Sequence, residues 1–182
     1  VIDFVTTATT GNAGDFGDLT ATRSYTRCCS SKLRFLTLGG MGSGVSNIID
    51  YVTIATTGNA TDFGDLTTVR EKVGGTSSST RGVFAGATFG SDVIDYITIA
   101  TLGNATDFGD LTVARAWVAG VSSGTRGVFA GGASSNVIDY ITIATLGNAI
   151  DFGDLTVIRG SSSGVSNSTR GVFGGGKQGG TT

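Results

Sequence analysis

A four-residue motif returns four times in this chain, as Val1-Ile2-Asp3-Phe4, Ile48-Ile49-Asp50-Tyr51, Val93-Ile94-Asp95-Tyr96 and Val137-Ile138-Asp139-Tyr140. The Asp positions lie 47, 45 and 44 residues apart. Each motif is followed by Gly-Asn-Ala, by Asp-Phe-Gly-Asp-Leu-Thr and then by an Arg: Arg23, Arg70, Arg115 or Arg159, always 20 residues beyond the Asp. A second Arg follows 11 residues later, at Arg34, Arg81, Arg126 and Arg170, and opens a short apolar run ending in glycine. Repetition on this scale constrains the fold more than any other feature. Each repeat is one supersecondary unit, and it buries its apolar surface only by packing on its neighbours.

The unit is all-β. Glycine is abundant at 31 residues, proline is absent, and Thr, Ser, Val and Ile are plentiful. β-branched side chains suit a pleated sheet and glycine suits tight turns. A repeat of about 45 residues accommodates four short strands. In the third copy these are expected over 116–121, over 127–130, over 137–145 after a loop at 133–136, and from Phe152 to Arg159 after the Gly147-Asn148 hairpin turn. The third strand places Val137, Asp139, Ile141 and Ile143 on one face and Ile138, Tyr140 and Ala144 on the other. Both faces are largely apolar, as in a sheet covered on both sides.

The pattern resembles the kelch repeat. Gly127-Val128-Phe129-Ala130-Gly131-Gly132 matches that family's strand ending in a double glycine, and Tyr51, Tyr96 and Tyr140 match its aromatic. Phe63, Phe108 and Phe152 stand where the family usually has Trp, and Ala87 replaces a second glycine. The resemblance covers the whole chain and implies a β-propeller of four-stranded blades, although four copies are fewer than the family commonly has. Implied blades span 23–69, 70–114 and 115–158. A closing blade combines 1–22 with 159–176, leaving a tail at 177–182. Pairing of the C-terminal strands with the N-terminal strand would close the ring and remove exposed edges. The alternatives are part of a larger propeller and a β-solenoid. The Asp-Phe-Gly-Asp-Leu-Thr repeats also resemble those of tail and appendage proteins of tailed bacteriophages, marine ones especially.

The charges follow the repeat. Twelve of the 14 acidic residues fall at three repeat positions, and eight of the nine Arg at two. A buried charge is costly unless paired, so structural pairing is expected between Asp3, Asp50, Asp95 and Asp139 and Arg23, Arg70, Arg115 and Arg159. Calcium at the Asp-x-x-Asp turn is the competing idea, but two carboxylates make a thin oxygen cage, and no metal or other cofactor is expected. Asp-Phe-Gly stands without the phosphate loop and lysine that accompany it in kinases. There is no His, and no Ser has an evident base, so the chain reads as a non-enzyme. A propeller glycosidase with carboxylates meeting across a channel is the enzymatic alternative. Cys28 and Cys29 read as two unpaired thiols. A net charge of -2 offers no nucleic-acid surface, and no apolar run reaches membrane-spanning length. The chain opens at Val1 without Met or signal peptide, which reads as a processed product or the ordered part of a longer chain.

Specificity is expected where the repeats differ. Spacing varies only between the second Arg and the next Asp, at 41–47, 88–92 and 133–136. Residue identity varies in the two positions after the first Arg: Ser24-Tyr25, Glu71-Lys72, Ala116-Trp117 and Gly160-Ser161. In an up-and-down blade both regions lie on one face, which makes Tyr25, Lys72, Phe89 and Trp117 the candidate binding residues. The resulting expectation is a structural and binding module of a phage virion, located in the virion or extracellularly. Its partners would be other virion proteins or copies of itself, and a host-surface glycan or receptor. The alternatives are a cellular kelch-type protein-interaction domain and a sugar-binding or glycosidase-like propeller.

Overall fold

A computed structural model describes residues 1–178 and contains only strands and turns there. In chain order the strands are β1 (Ile2–Phe4), β2 (Gly14–Gly17), β3 (Arg27–Ser30), β4 (Arg34–Leu38), β5 (Ile48–Thr53), β6 (Thr61–Asp65), β7 (Gly74–Ser77), β8 (Arg81–Ala87) and β9 (Ser91–Thr98). They continue as β10 (Thr106–Asp110), β11 (Ala119–Ser122), β12 (Arg126–Gly132), β13 (Ser135–Thr142), β14 (Ile150–Asp154), β15 (Arg159–Gly160), β16 (Ser163–Ser166), β17 (Gly171–Gly174) and β18 (Lys177–Gln178). Three four-stranded antiparallel sheets result, β3-β4-β5-β6, β7-β8-β9-β10 and β11-β12-β13-β14. Two half-sheets flank them, β1-β2 at the start and β16-β17 at the end, and β15 pairs with β18.

The three full sheets fall inside the expected blade limits, but the strand bounds differ from those read in the third copy. The first strand begins at Ala119, not Ala116, because the Ala116 carbonyl is taken up by Ala133 of the same repeat and Trp117 bonds to Lys72 and Ser161 of the neighbouring ones. The expected loop at 133–136 shrinks to Ala133-Ser134, since Gly132 pairs with Ser135. The last strand is only Ile150–Asp154, with its register shifted against β13 between Ile138 and Asp139. In the tail, Lys177 and Gln178 pair with Gly160 and Arg159, and 179–182 lie outside the described residues.

Consecutive sheets pack face to face through two apolar layers. Leu36, Leu38, Ile49 and Phe63 of the first full sheet meet Val73, Phe84 and Ile97 of the second. Val83, Ala85, Ile94 and Phe108 of the second meet Val118, Phe129 and Ile141 of the third. Strand alternation thus sends Phe84 to one side and its neighbours Val83 and Ala85 to the other, which explains why both faces are apolar. Phe84 and Phe129 are fully buried, each worth about 1.5–3 kcal/mol in burial. The first strands of successive repeats approach backbone to backbone. A Cβ on Gly120 would stand 2.2 Å from the Gly75 carbonyl oxygen. The same strands are joined by a serine row, in which the Ser77, Ser122 and Ser166 hydroxyls donate to the carbonyls of Ser30, Ser77 and Ser122 at 3.0, 2.7 and 2.7 Å.

The expected ring closure is not seen. Among the described residues β1 pairs with β2 alone and β17 with β16 alone, so the array has two open ends.

Candidate functional site

The Asp and Arg positions of the repeat form the joints between repeats. Arg23, Arg70 and Arg115 pair with Asp50, Asp95 and Asp139, the Arg in each case leading into a four-stranded sheet and the Asp standing on that sheet's third strand. The three carboxylates are fully buried, and the Arg115–Asp139 contact measures 2.9 Å. Thr20, Thr67 and Thr112 add a backbone N–H and a hydroxyl to the same carboxylates. The guanidinium groups also donate to the carbonyls of Ile48, Val93 and Val137 at 2.8, 3.0 and 2.8 Å. Burial pulls Arg70 down to about 10 against the Asp107 carboxylate, and pulls Arg115 down against Asp139. Both remain charged at neutral pH. A buried pair of this kind is weak as net stabilisation but strict about register, because a slipped repeat leaves a charge unpaired. Asp3 is exposed, and Arg159 has no carboxylate partner among the described residues; the one hydrogen bond of its side chain there goes to the Gly175 carbonyl at 3.5 Å.

The other repeated aromatics and cations are also structural. Arg34, Arg81 and Arg126 lie over the rings of Tyr51, Tyr96 and Tyr140 at 4.7, 4.8 and 4.4 Å. Each of these tyrosines meets the Phe of its own repeat edge to face.

The two variable regions of the sequence are hydrogen-bonded to each other in each of the first three repeats. Ser24 exchanges backbone bonds with Met41, Thr88 donates to the Glu71 carbonyl, and Ala133 donates to the Ala116 carbonyl. On this face Tyr25, Lys72, Trp117 and Ser161 occupy one repeat position, and all four hold a left-handed backbone with φ between 55° and 62°. They form a ladder: the N–H groups of Lys72, Trp117 and Ser161 donate to the carbonyls of Tyr25, Lys72 and Trp117 at 3.4, 2.8 and 3.1 Å. Non-glycine residues adopt this conformation at a cost, repaid here by a bond to the next repeat.

The ladder places side chains from three repeats together. The Lys72 ammonium lies 5.1 Å from the Tyr25 ring centre and 4.9 Å from that of Trp117. The two rings meet edge to face at 5.8 Å. Tyr25 is half exposed. Glu71, the chain's single glutamate, is buried behind the cluster. Its Oε1 accepts from the Lys72 ammonium at 2.9 Å and from the Thr88 hydroxyl at 2.9 Å. The fourth candidate, Phe89, is not part of the cluster: it stands 97 % exposed in the turn between β8 and β9. Sequence reasoning missed Glu71 and Thr88 as supports of Lys72, although the uniqueness of Glu71 was a legible signal. An ammonium has three donors, and the contact to Glu71 uses one. A cation between two aromatic faces, with donors left over, suits a ligand bearing hydroxyl or carboxylate groups and a C–H face.

Among the described residues no group of three or more His, Cys, Asp or Glu side chains could hold a metal ion, and no helix is long and apolar enough to cross a membrane. Cys28 is exposed and Cys29 buried, and both are free thiols. No protein-family model matches the chain, and a search of curated proteins returned no match.

Proposed function

We propose that this chain is a non-enzymatic structural and binding module: a stack of kelch-like propeller blades that serves in a phage virion, as part of a tail or appendage, and contacts the host surface. The observation that carries the binding half is the Tyr25–Lys72–Trp117 cluster, assembled from three repeats at the one repeat position where the copies differ most. A scaffold of near-identical joints with one divergent polar–aromatic row is what a repeat protein with a working face requires. The ligand that fits is a surface glycan: ring faces of a sugar stack on Tyr25 and Trp117, and Lys72 donates to its hydroxyl or carboxylate oxygens. The structural half is supported by the buried carboxylates, whose lone pairs are taken up by Arg and Thr and so are withdrawn from acid–base work. The virion assignment rests on the resemblance of the Asp-Phe-Gly-Asp-Leu-Thr repeats to phage appendage proteins.

Trp117 is the only tryptophan, so its fluorescence reports on this face directly. Titration with host surface polysaccharide should shift Trp117 emission in the native protein, and Lys72→Ala should abolish the shift while leaving circular dichroism unchanged. No shift with host polysaccharide, together with no labelling of purified particles by an antibody to this chain, refutes the reading.

A further inference from the structure

The two open ends of the array are the two halves of one repeat. The start carries the third and fourth strands, β1 and β2; the end carries the first and second, β16 and β17. We propose that the chain associates head to tail with a second copy of itself, β17 of one copy pairing with β1 of the next, so that a complete four-stranded sheet forms across the joint.

The register follows from the internal repeats. Arg34 pairs with Thr53, Arg81 with Thr98 and Arg126 with Thr142, which sets Arg170 opposite Thr6 and Val172 opposite Phe4. At the same register every joint has a donor on one end and its acceptor on the other. Arg159, alone of its row in lacking a carboxylate, meets Asp3 of the next copy, alone of its row in lacking an arginine. Phe16, Phe63 and Phe108 accept backbone bonds from Gly58, Gly103 and Gly147; Phe152 accepts from Gly11 of the next copy. Asn59, Asn104 and Asn148 receive the N–H groups of Asp18, Asp65 and Asp110 at 3.0, 3.0 and 3.1 Å; Asn12 receives that of Asp154. Arg34 and Arg81 donate to the carbonyls of Ile99 and Ile143; Arg126 donates to that of Thr7.

Burial marks the same seam. Phe63 and Phe108 are 3 % exposed, whereas Phe152 is 54 % exposed; Val52 and Ile97 are 6 % and 2 % exposed, whereas Val5 is 59 % exposed. A Cβ on Gly64 or Gly109 would strike the Gly103 or Gly147 backbone of the next repeat, but one on Gly153 meets nothing within 4 Å. An open cleft lined by Arg126, Val128, Phe152 and Arg170 lies where β1 and β2 of the second copy would sit. Because the two surfaces differ, the contact is heterologous, and it propagates into a ring or a filament. The inference rests on repeat geometry and on no ligand or particle, so its failure and that of the glycan reading are separate results.

The test is sedimentation of the full chain over a wide concentration range. The expected result is a mass that rises above 18.3 kDa in whole-chain steps. Asp3→Arg and Arg159→Asp each place like charges at the joint and should sediment as single chains, and an equal mixture of the two should reassemble. Arg159 is partly buried, so Asp3→Arg and Asn12→Ala, both at exposed positions, test the joint without loss of fold. In a Cys28→Ser background, a mixture of Phe4→Cys and Val172→Cys should form a disulfide-linked dimer under mild oxidation. A wild-type chain that stays at the single-chain mass throughout overturns the proposal. So does an Asp3→Arg variant that assembles like wild type, or a Phe4→Cys/Val172→Cys double variant that closes a disulfide within one chain.

Discussion

Asp95→Ala tests the claim that repeat joints are set by buried ion pairs. Asp95 is fully buried and accepts from Arg70, from the Thr67 hydroxyl at 2.8 Å and from the Thr67 N–H at 3.0 Å. Truncation takes from the Arg70 guanidinium, itself 2 % exposed, the one carboxylate it is hydrogen-bonded to, and leaves it only the field of Asp107. Removing one partner of such a pair costs about 3–5 kcal/mol. For a chain of this length each kcal/mol lowers the melting temperature by about 2–4 °C, so a fall of about 6–20 °C is expected. The assay is thermal unfolding for the melting temperature and urea unfolding for the free energy, both followed by Trp117 fluorescence. The matched control is Asp3→Ala, which removes the same residue of the repeat where it is exposed. Measured dilute enough to keep chains apart, it should change stability by no more than about 0.5 kcal/mol. Replacing both partners, as Asp95→Leu with Arg70→Met, should recover most of the loss, since an apolar pair carries no desolvation penalty. If Asp95→Ala costs less than about 1 kcal/mol, or no more than Asp3→Ala, the pair does not hold the joint and the reasoning is wrong.

Further predictions concern packing and ionisation. Gly120→Ala should destabilise by about 1–3 kcal/mol through overpacking against Gly75, whereas Gly11→Ala, with open space around it, should be close to neutral in a dilute chain; chemical denaturation distinguishes them. Phe129→Ala should cost about 3–5 kcal/mol and expose the layer between the second and third sheets to a hydrophobic dye. Burial raises the Cys29 thiol well above its ordinary value of 9.0, with Cys28 adding to the effect. Its contribution to stability is therefore complete below pH 9 and is lost as pH rises, by up to about 1.4 kcal/mol per pH unit. Unfolding curves at stepped alkaline pH measure this as the difference in slope between the native chain and Cys29→Ala, since Arg70, lowered to about 10, adds its own alkaline pH dependence to both. Maleimide at neutral pH should label Cys28 in the folded protein and both thiols only in denaturant.

The association proposed above and the glycan reading bear on different surfaces. The joints lie along the β1 and β17 edges, and the Tyr25–Lys72–Trp117 row runs across the stack. Assembly head to tail repeats that row once per chain, so a weak single contact to a polyvalent surface becomes a multivalent one.

The all-β class, the four-strand unit and the paired Asp and Arg rows were legible in the sequence because each is a local or periodic property. β-branched runs with glycine turns specify strands, and a charge that recurs with the repeat must serve the repeat. Length differences between copies also marked the loops that lie beside the Tyr25–Lys72–Trp117 row, since a surface loop tolerates them. Other features depended on contacts between residues far apart in the chain. The left-handed backbone at Tyr25, Lys72 and Trp117 is imposed by hydrogen bonds from one repeat to the next, and no local signal announces it. Glu71 buttresses Lys72 only because the β8–β9 turn brings Thr88 beside it. Phe89, expected beside Trp117 from its place in the variable loop 88–92, is held apart from the cluster by the β8–β9 turn, which points it into solvent. The open ends were likewise invisible from the motif count, which supplies every strand of a fourth blade but not the spatial separation of its halves. Periodicity determines what each repeat is; only the packing of one repeat on the next decides which of its charges and aromatics are buried in joints and which remain at the surface.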